Sequence, residues 1–261
     1  MPTSGLKIAA YVRDNSSRTN ERVKHFGDAL GARLESRERP VECDIAIQAG
    51  FQMSPAMRDA MDRCVPIIIL ENPVWHYGDK PATYTWGYNG LNGLSTGGYM
   101  GNRPLRPHPT LEPWRDSGDR IIFGQLENDK SLRGADIYEW VEYMQTVHPE
   151  ADFREHPKML DQNDPPQESF ESAMDRCGLA ITYNSTVGAE ALIRGIPVEV
   201  YHPGSWAWEV NDRRKWIHEL SWRHWTVGEE IDTDYILSGF CQARAAAQNG
   251  EYDNMSNGRA Q

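Results

Sequence analysis

The chain has 261 residues, 39% hydrophobic and 25% charged, ordinary globular composition and enough to bury one large core or two small ones. Its longest apolar run, Val65 to Leu70, falls far short of the roughly 20 residues a membrane helix needs, and Met1 to Lys7 lacks a signal peptide's apolar stretch. The expectation is a soluble cytoplasmic protein with no membrane partner. A net charge of −11 excludes a general nucleic-acid coat, but residues 1–40 carry eight Lys and Arg against five Asp and Glu, a local +3 that leaves −14 for the rest. Any polyanion would meet a local basic patch.

The first half reads as alternating strands and helices. Lys7 to Val12 is a strand, followed by a polar turn and a helix with Val23, Phe26, Leu30 and Leu34 on one face. Asp44 to Gln48 is the next strand, Ser54 and Pro55 open a helix through Arg63, and Val65 to Leu70 is a continuous apolar strand. Such strands imply a parallel sheet covered on both faces. From Tyr77 to Pro113 the chain is rich in Gly, Asn and Pro, so loops with at most one short strand are expected.

A second set begins after the turn at Asp116 to Asp119. Arg120 to Phe123 is a strand, Ile137, Trp140, Val141, Met144 and Val147 mark a helix, and Ala151 to Arg154 is a strand. Phe170, Ala173, Met174 and Cys177 form a helical stripe. Leu179 to Tyr183 is a strand, Thr186 to Arg194 a helix closed by Gly195, and Ile196 to Tyr201 a last strand. The fold class is therefore α/β, with two Rossmann-like doubly wound domains facing a cleft. The expected division is 1–115, 116–205, a mostly helical stretch over 206–247, and a flexible tail over 248–261. Cys43, Cys64, Cys177 and Cys241 lie far apart without metal-ligand spacing and read as structural thiols.

The sharpest local signal is Thr182-Tyr183-Asn184-Ser185-Thr186 leading into Val187-Gly188-Ala189-Glu190-Ala191-Leu192, then Gly195 and Pro197. A buried strand ends in small polar side chains at a helix start, which suits an anion; Ser185 or Thr186 could equally cap the helix with no ligand present. This strand-Asn-Ser-Thr-helix-Gly-x-Pro pattern resembles the C-terminal domain of GT-B glycosyltransferases, in particular capsular-polysaccharide sugar transferases of the Kdo type and virus-encoded DNA-modifying glycosyltransferases. Four further segments fit the viral group in order: Ile69 to Pro73 before Gly87 to Gly93, Gly124-Gln125 with Asp129, Arg154 to Pro157, and the Trp-rich Arg214 to Glu230. The resemblance spans about residues 65–240; one departure is Glu155, where the family has Pro or another small residue.

The resemblance implies that the helices over 206–247 cross back to bridge the two domains, and it implies roles for single residues. Asn184, Ser185 and Thr186 would bind the phosphate of a nucleotide-sugar donor, Glu190 its ribose hydroxyls, and His156 the phosphate or base, with Gln125 and Lys130 beside them. Inverting transfer needs a carboxylate base from the N-terminal domain, for which Glu71 at the end of its strand is the candidate, with Asp14 and Asp79 in reserve. The sequence does not choose between inverting and retaining chemistry. Arg13, Asn89, Asn92 and Arg103 would line the acceptor side, and Arg18, Arg22, Lys24 and Arg106 could add to a positive rim. With no DxD motif after a strand, no obligatory metal or cofactor is expected beyond the nucleotide sugar as co-substrate.

Trp206, Trp208, Trp216, Trp222 and Trp225 lie among basic residues, a pattern that serves either packing between helices or stacking on nucleic acid. The resulting expectation is a glycosyltransferase acting on a hydroxylated base, a 5-hydroxymethylpyrimidine, in viral DNA, such as that of a bacteriophage, within an infected host cell. The alternatives are a capsule or surface-glycan transferase and a non-catalytic nucleotide-sugar-binding protein.

Overall fold

A computed structural model describes residues 5–14, 17–50, 52–75, 83–132, 134–160 and 167–252, apart from a few side chains, among them that of Lys130. The elements in chain order are β1 (Ile8–Val12), α1 (Ser17–Ala29), β2 (Arg33–Ser36), β3 (Ile45–Ala49), α2 (Pro55–Asp62), β4 (Ile67–Glu71) and β5 (Thr83–Tyr88). Then come β6 (Asp119–Phe123), α3 (Ile137–Val147), β7 (Asp152–Arg154), α4 (Phe170–Arg176), β8 (Cys177–Thr182), α5 (Val187–Ile193) and β9 (Val198–Val200). The chain ends with α6 (Arg213–Trp222), β10 (His224–Thr226), α7 (Thr233–Ser238) and α8 (Phe240–Gln248). The described residues of Met1–His108 and Ile217–Asn257 form one compact unit and those of Pro109–Trp216 a second. These divisions fall at His108/Pro109 and within α6, where the sequence suggested 115/116 and 205/206.

Unit 1 holds a six-stranded sheet in the order β10-β5-β4-β3-β1-β2. The strands β1, β2, β3 and β4 run parallel, but β5 and β10 are antiparallel, so the sheet is mixed rather than wholly parallel. Two elements escaped the sequence reading. Leu34, placed on the helical face of α1, lies in β2 and is 41% exposed, because Gly31 at φ +67° ends the helix before it. The stretch 206–247, expected to be helical, contains β10, paired with β5. Among the described residues of the loop-rich region the one strand is β5, buried at every residue, with Trp86 and Tyr88 in a core that also holds Trp222, Trp225 and Tyr235. As expected, Ser54 caps α2, accepting the Met57 N–H at 3.2 Å, and Pro55 opens it. Tyr252 corrects the flexible-tail reading locally: it is buried and its hydroxyl donates to the Val65 carbonyl at 2.9 Å. Residues 253–261 lie outside the described residues.

Unit 2 holds a parallel sheet ordered β7-β6-β8-β9. Alternate residues of its strands enter different clusters: Ile121, Phe123 and Ala180 pack with Ala173, Met174 and Ala191 of α4 and α5, while Ile122 and Ile181 pack with Val141 and Met144 of α3. This is the two-faced burial that continuous apolar strands require.

Each sheet has one point where its strand order reverses. In unit 1 it lies between β1 and β3, since β2 sits on the other side of β1; in unit 2 it lies between β6 and β8, since β7 sits on the other side of β6. Open α/β sheets bind ligands outside the carboxyl ends of the strands at such points.

Candidate functional site

At the switch point of unit 2, Gln125 follows β6 and Asn184 follows β8. Gln125 Nε2 donates to Asn184 Oδ1 at 2.7 Å and to Ser131 Oγ at 2.9 Å. Ser131 Oγ donates to Asn184 Oδ1 at 3.2 Å, and Asn184 Nδ2 donates to the Ser131 carbonyl at 2.7 Å. Gln125 and Asn184 are buried, and the triad ties loop 124–132 to the strand-to-helix junction. Gly124 permits the approach to β7, since a Cβ there would stand 3.2 Å from the Arg154 carbonyl and the His156 nitrogen. Gln125 Oε1 and Thr182 Oγ1 are buried with no hydrogen-bond partner, unmet bonding capacity of a kind native interiors rarely keep.

Ser185 Oγ accepts the Val187 N–H at 3.3 Å, whereas Thr186 makes no side-chain cap, so capping falls to Ser185. His156 Nδ1 accepts the Lys158 N–H at 3.2 Å, which leaves the ring proton on Nε2. Burial, then Lys158 and Arg154, hold the imidazole below its ordinary pKa against the pull of Asp129, which favours the neutral ring. Glu155 Oε1 accepts the His156 N–H at 3.2 Å, and its backbone is held by Gln167. Glu190, expected at a ribose, accepts from Arg194 Nε at 2.8 Å in a cluster completed by Glu171.

In unit 1, Glu71 ends β4 and is half-buried, its charge reaching Arg37. Arg13 and the exposed Asp14 follow β1 and line a cavity of about 340 Å³ with Arg37, Glu38, Gln52 and Ser54. Asn89 and Asn92 do not join them. Because β5 is antiparallel, it delivers Asn89 to the amino end of β4, where its Oδ1 accepts the Ile67 N–H at 2.9 Å and its Nδ2 donates to the Ala243 carbonyl at 2.7 Å. Asn92, at φ +46°, starts the short turn that follows. Arg103 pairs with Asp232 and lies over the Trp222 and Tyr235 rings at 4.9 and 5.0 Å. The expected acceptor set therefore shares no single surface: Arg13 alone of the four stands at the carboxyl edge. Asp79 lies outside the described residues.

Ser131 and Arg37 were not read from the sequence. Neither sits in a motif; each is carried to a switch point by the segment that follows a strand. Of the clustered tryptophans, Trp206, Trp222 and Trp225 are buried and serve packing, while Trp208 is partly exposed. Among the described residues no helix is long and apolar enough to cross a membrane, and no group of three or more His, Cys, Asp or Glu could hold a metal ion.

No protein-family model matches the chain, and no curated protein does. Among solved structures it is similar to two from Thermosulfurimonas dismutans. The first is KpsC, beta Kdo 2,7 transferase, at 16% identity and a TM-score of 0.46, covering 75% of this chain and 78% of that one. The second is KpsC, beta Kdo 2,4 transferase, at 14% identity and a TM-score of 0.48, covering 75% and 79%.

Proposed function

We propose that the chain is a nucleotide-sugar-dependent glycosyltransferase of the GT-B type. The observation that carries the reading is the Gln125–Ser131–Asn184 triad at the unit 2 switch point, set in the strand-Asn-Ser-Thr-helix pattern and carrying unmet bonding capacity. Unit 2 binds the donor there, its phosphate against Ser185 and Thr186 and its base or phosphate within reach of His156. Unit 1 supplies the acceptor side. Glu71 takes the proton of the acceptor hydroxyl as that oxygen bonds to the anomeric carbon, and the donor's phosphate leaves with the electrons of the broken C–O bond. Asp14, in the exposed turn after β1, is the alternative base.

A hydroxylated base in DNA as acceptor draws its support from the local +3 of residues 1–40. It loses the contribution of Arg103 and Arg106, which are engaged by Asp232 and Glu229 within unit 1. The test is incubation with a panel of nucleotide sugars and either hydroxymethylated DNA or a glycan acceptor, read by mass spectrometry of the products. Gain of a sugar mass by the nucleoside supports the DNA acceptor, and gain by the glycan supports the alternative. Transfer to neither, with no nucleotide released, overturns the glycosyltransferase reading. Glu71→Gln should cost about 10²- to 10⁴-fold in rate with donor affinity intact.

A further inference from the structure

The unit 1 switch point carries a second polar construction. Arg37, just past β2, is 4% exposed and lines the cavity. It donates to the Ala49 carbonyl at the end of β3 and, through Nη1, to Gln52 Oε1 at 3.3 Å; its Nε is buried with no acceptor. The segment holding it is pinned. The Arg37 carbonyl accepts the Ala56 N–H at 3.0 Å, Gln48 Nε2 donates to the carbonyls of Gly50 and Gln52 at 3.0 and 3.1 Å, and Ser54 Oγ donates to Gln48 Oε1 at 3.2 Å.

Arg13 arrives from β1. It reaches the end of β3, where its Nη2 stands 3.4 Å from the position a Cβ of Gly50 would take. Arg13 Nε is likewise buried without an acceptor. The two cations repel each other, and burial first, then Arg13, bring the Arg37 guanidinium down to about 10, against the pull of Glu38 and Glu71. Asp14 and Glu38 stand exposed at the rim, and among the described residues no carboxylate forms an ion pair with either arginine. Buried charges held in place with unspent donors are costly unless something of opposite charge meets them.

We propose that this cavity is an oxyanion site in which Arg13 and Arg37 clamp one phosphate or carboxylate group of a small ligand. Guanidinium forks match both groups geometrically. The helix α2 begins on the cavity wall and adds the positive end of its dipole. At about 340 Å³ the space admits one anionic group and the ring that bears it. Assigning that group to the acceptor rests on the glycosyltransferase reading; the oxyanion site itself does not.

The test titrates the full chain, in buffer free of other oxyanions, with inorganic phosphate and separately with acetate, following the melting temperature and ligand NMR linewidths. Saturable binding of at least one anion is expected, and the tighter of the two identifies the group recognised. Arg13→Gln should weaken binding roughly tenfold or more, by the loss of charged hydrogen bonds, while the exposed Arg39→Gln leaves it unchanged. Arg37→Lys keeps the charge and loses the fork, and should also bind more weakly. Absence of saturable binding of either anion, or wild-type binding by Arg13→Gln, overturns the proposal. Anion binding without any sugar transfer would overturn the glycosyltransferase reading and leave this site standing.

Discussion

Replacing Asn184 by Ala removes three hydrogen bonds, of 2.7, 3.2 and 2.7 Å, from a buried cluster. Gln125 Nε2 and Ser131 Oγ keep each other at 2.9 Å, but the Ser131 carbonyl loses the Nδ2 donor. At about 1 kcal/mol net for each bond, with part of the loss offset by the surviving contact and an orphaned carbonyl added, the cost is about 2–3 kcal/mol. That is roughly a 30- to 150-fold fall in local protection. Hydrogen exchange should show it in peptides covering 124–132 and 182–187, with β1 and β3 of unit 1 as unchanged internal references. A change below about threefold would refute the account of the triad as the element that orders this loop. Asn184→Asp sharpens the test. The carboxylate still accepts from Gln125 and Ser131 Oγ, but sets an oxygen against the Ser131 carbonyl where a donor stood, so it should cost at least as much as Ala. A neutral Asn184→Asp would refute the donor direction assigned to the amide.

Three further outcomes follow from the same geometry. Gly195→Ala should cost more than about 2 kcal/mol, since Gly195 sits at φ +70° and a Cβ would stand 2.7 Å from the Pro113 carbonyl carbon. Gly31→Ala, at φ +67° with open space around it, should cost about 1 kcal/mol; denaturant titration of both variants checks the order. Tyr252→Phe should lose about 1 kcal/mol with the bond to Val65, read as a lower midpoint of chemical denaturation. Burial raises the phenol of Tyr11 from its ordinary 10.0 to about 12 and also raises those of Tyr84, Tyr88, Tyr235 and Tyr252. The unfolded chain releases these protons first, so their contribution is intact below pH 10 and lost as pH climbs toward 12. Phenolate absorbance should lag behind that of a denatured control; full ionisation near pH 10 in the folded protein would contradict it.

The parallel cores were legible because burial on both faces leaves continuous apolar runs such as Val65 to Leu70, and the caps were legible because Ser54-Pro55 and Gly195 have local causes. The strands missed or undervalued have no such signature. Arg33 to Ser36 is polar because β2 is an edge strand, and His224 to Thr226 is three residues whose strand character comes wholly from pairing with β5. The direction of β5 could not be read from its composition, and that direction alone carries Asn89 and Asn92 away from Arg13. In unit 2 the motif residues Gln125 and Asn184 fell together because each follows a strand flanking the switch point. Their third partner, Ser131, sits in a loop with no periodicity, and Glu190, one turn into α5, was captured by Arg194 at i+4, a pairing the sequence permits without announcing.

The acidic balance of the chain takes on a specific meaning once its cations are placed. Arg106 lies 3.6 Å over Trp225 and pairs with Glu229; Arg176 gathers Asp119, Asp152 and Glu168 at 2.7, 2.6 and 2.6 Å. Arg213 lies 3.7 Å over Trp114 and donates to the Leu192 carbonyl at 2.7 Å, and Arg223 Nε donates to the Trp86 carbonyl at 3.2 Å. Arg103 and Arg106, read in sequence as an acceptor-side residue and part of a positive rim, and Arg213 and Arg223, among the basic residues around the tryptophans, thus spend much of their charge on aromatic faces, carbonyls and carboxylates of their own unit. Charge used in this way fixes the fold and contributes little to an outward field. Arg13 and Arg37 differ, because their Nε donors are unspent and they meet at the carboxyl ends of strands, where a ligand is expected on topology alone. Among the described residues of unit 1, in a chain of net charge −11, an anion is therefore drawn to this confined position, which favours a small anionic group over an extended polyanion there.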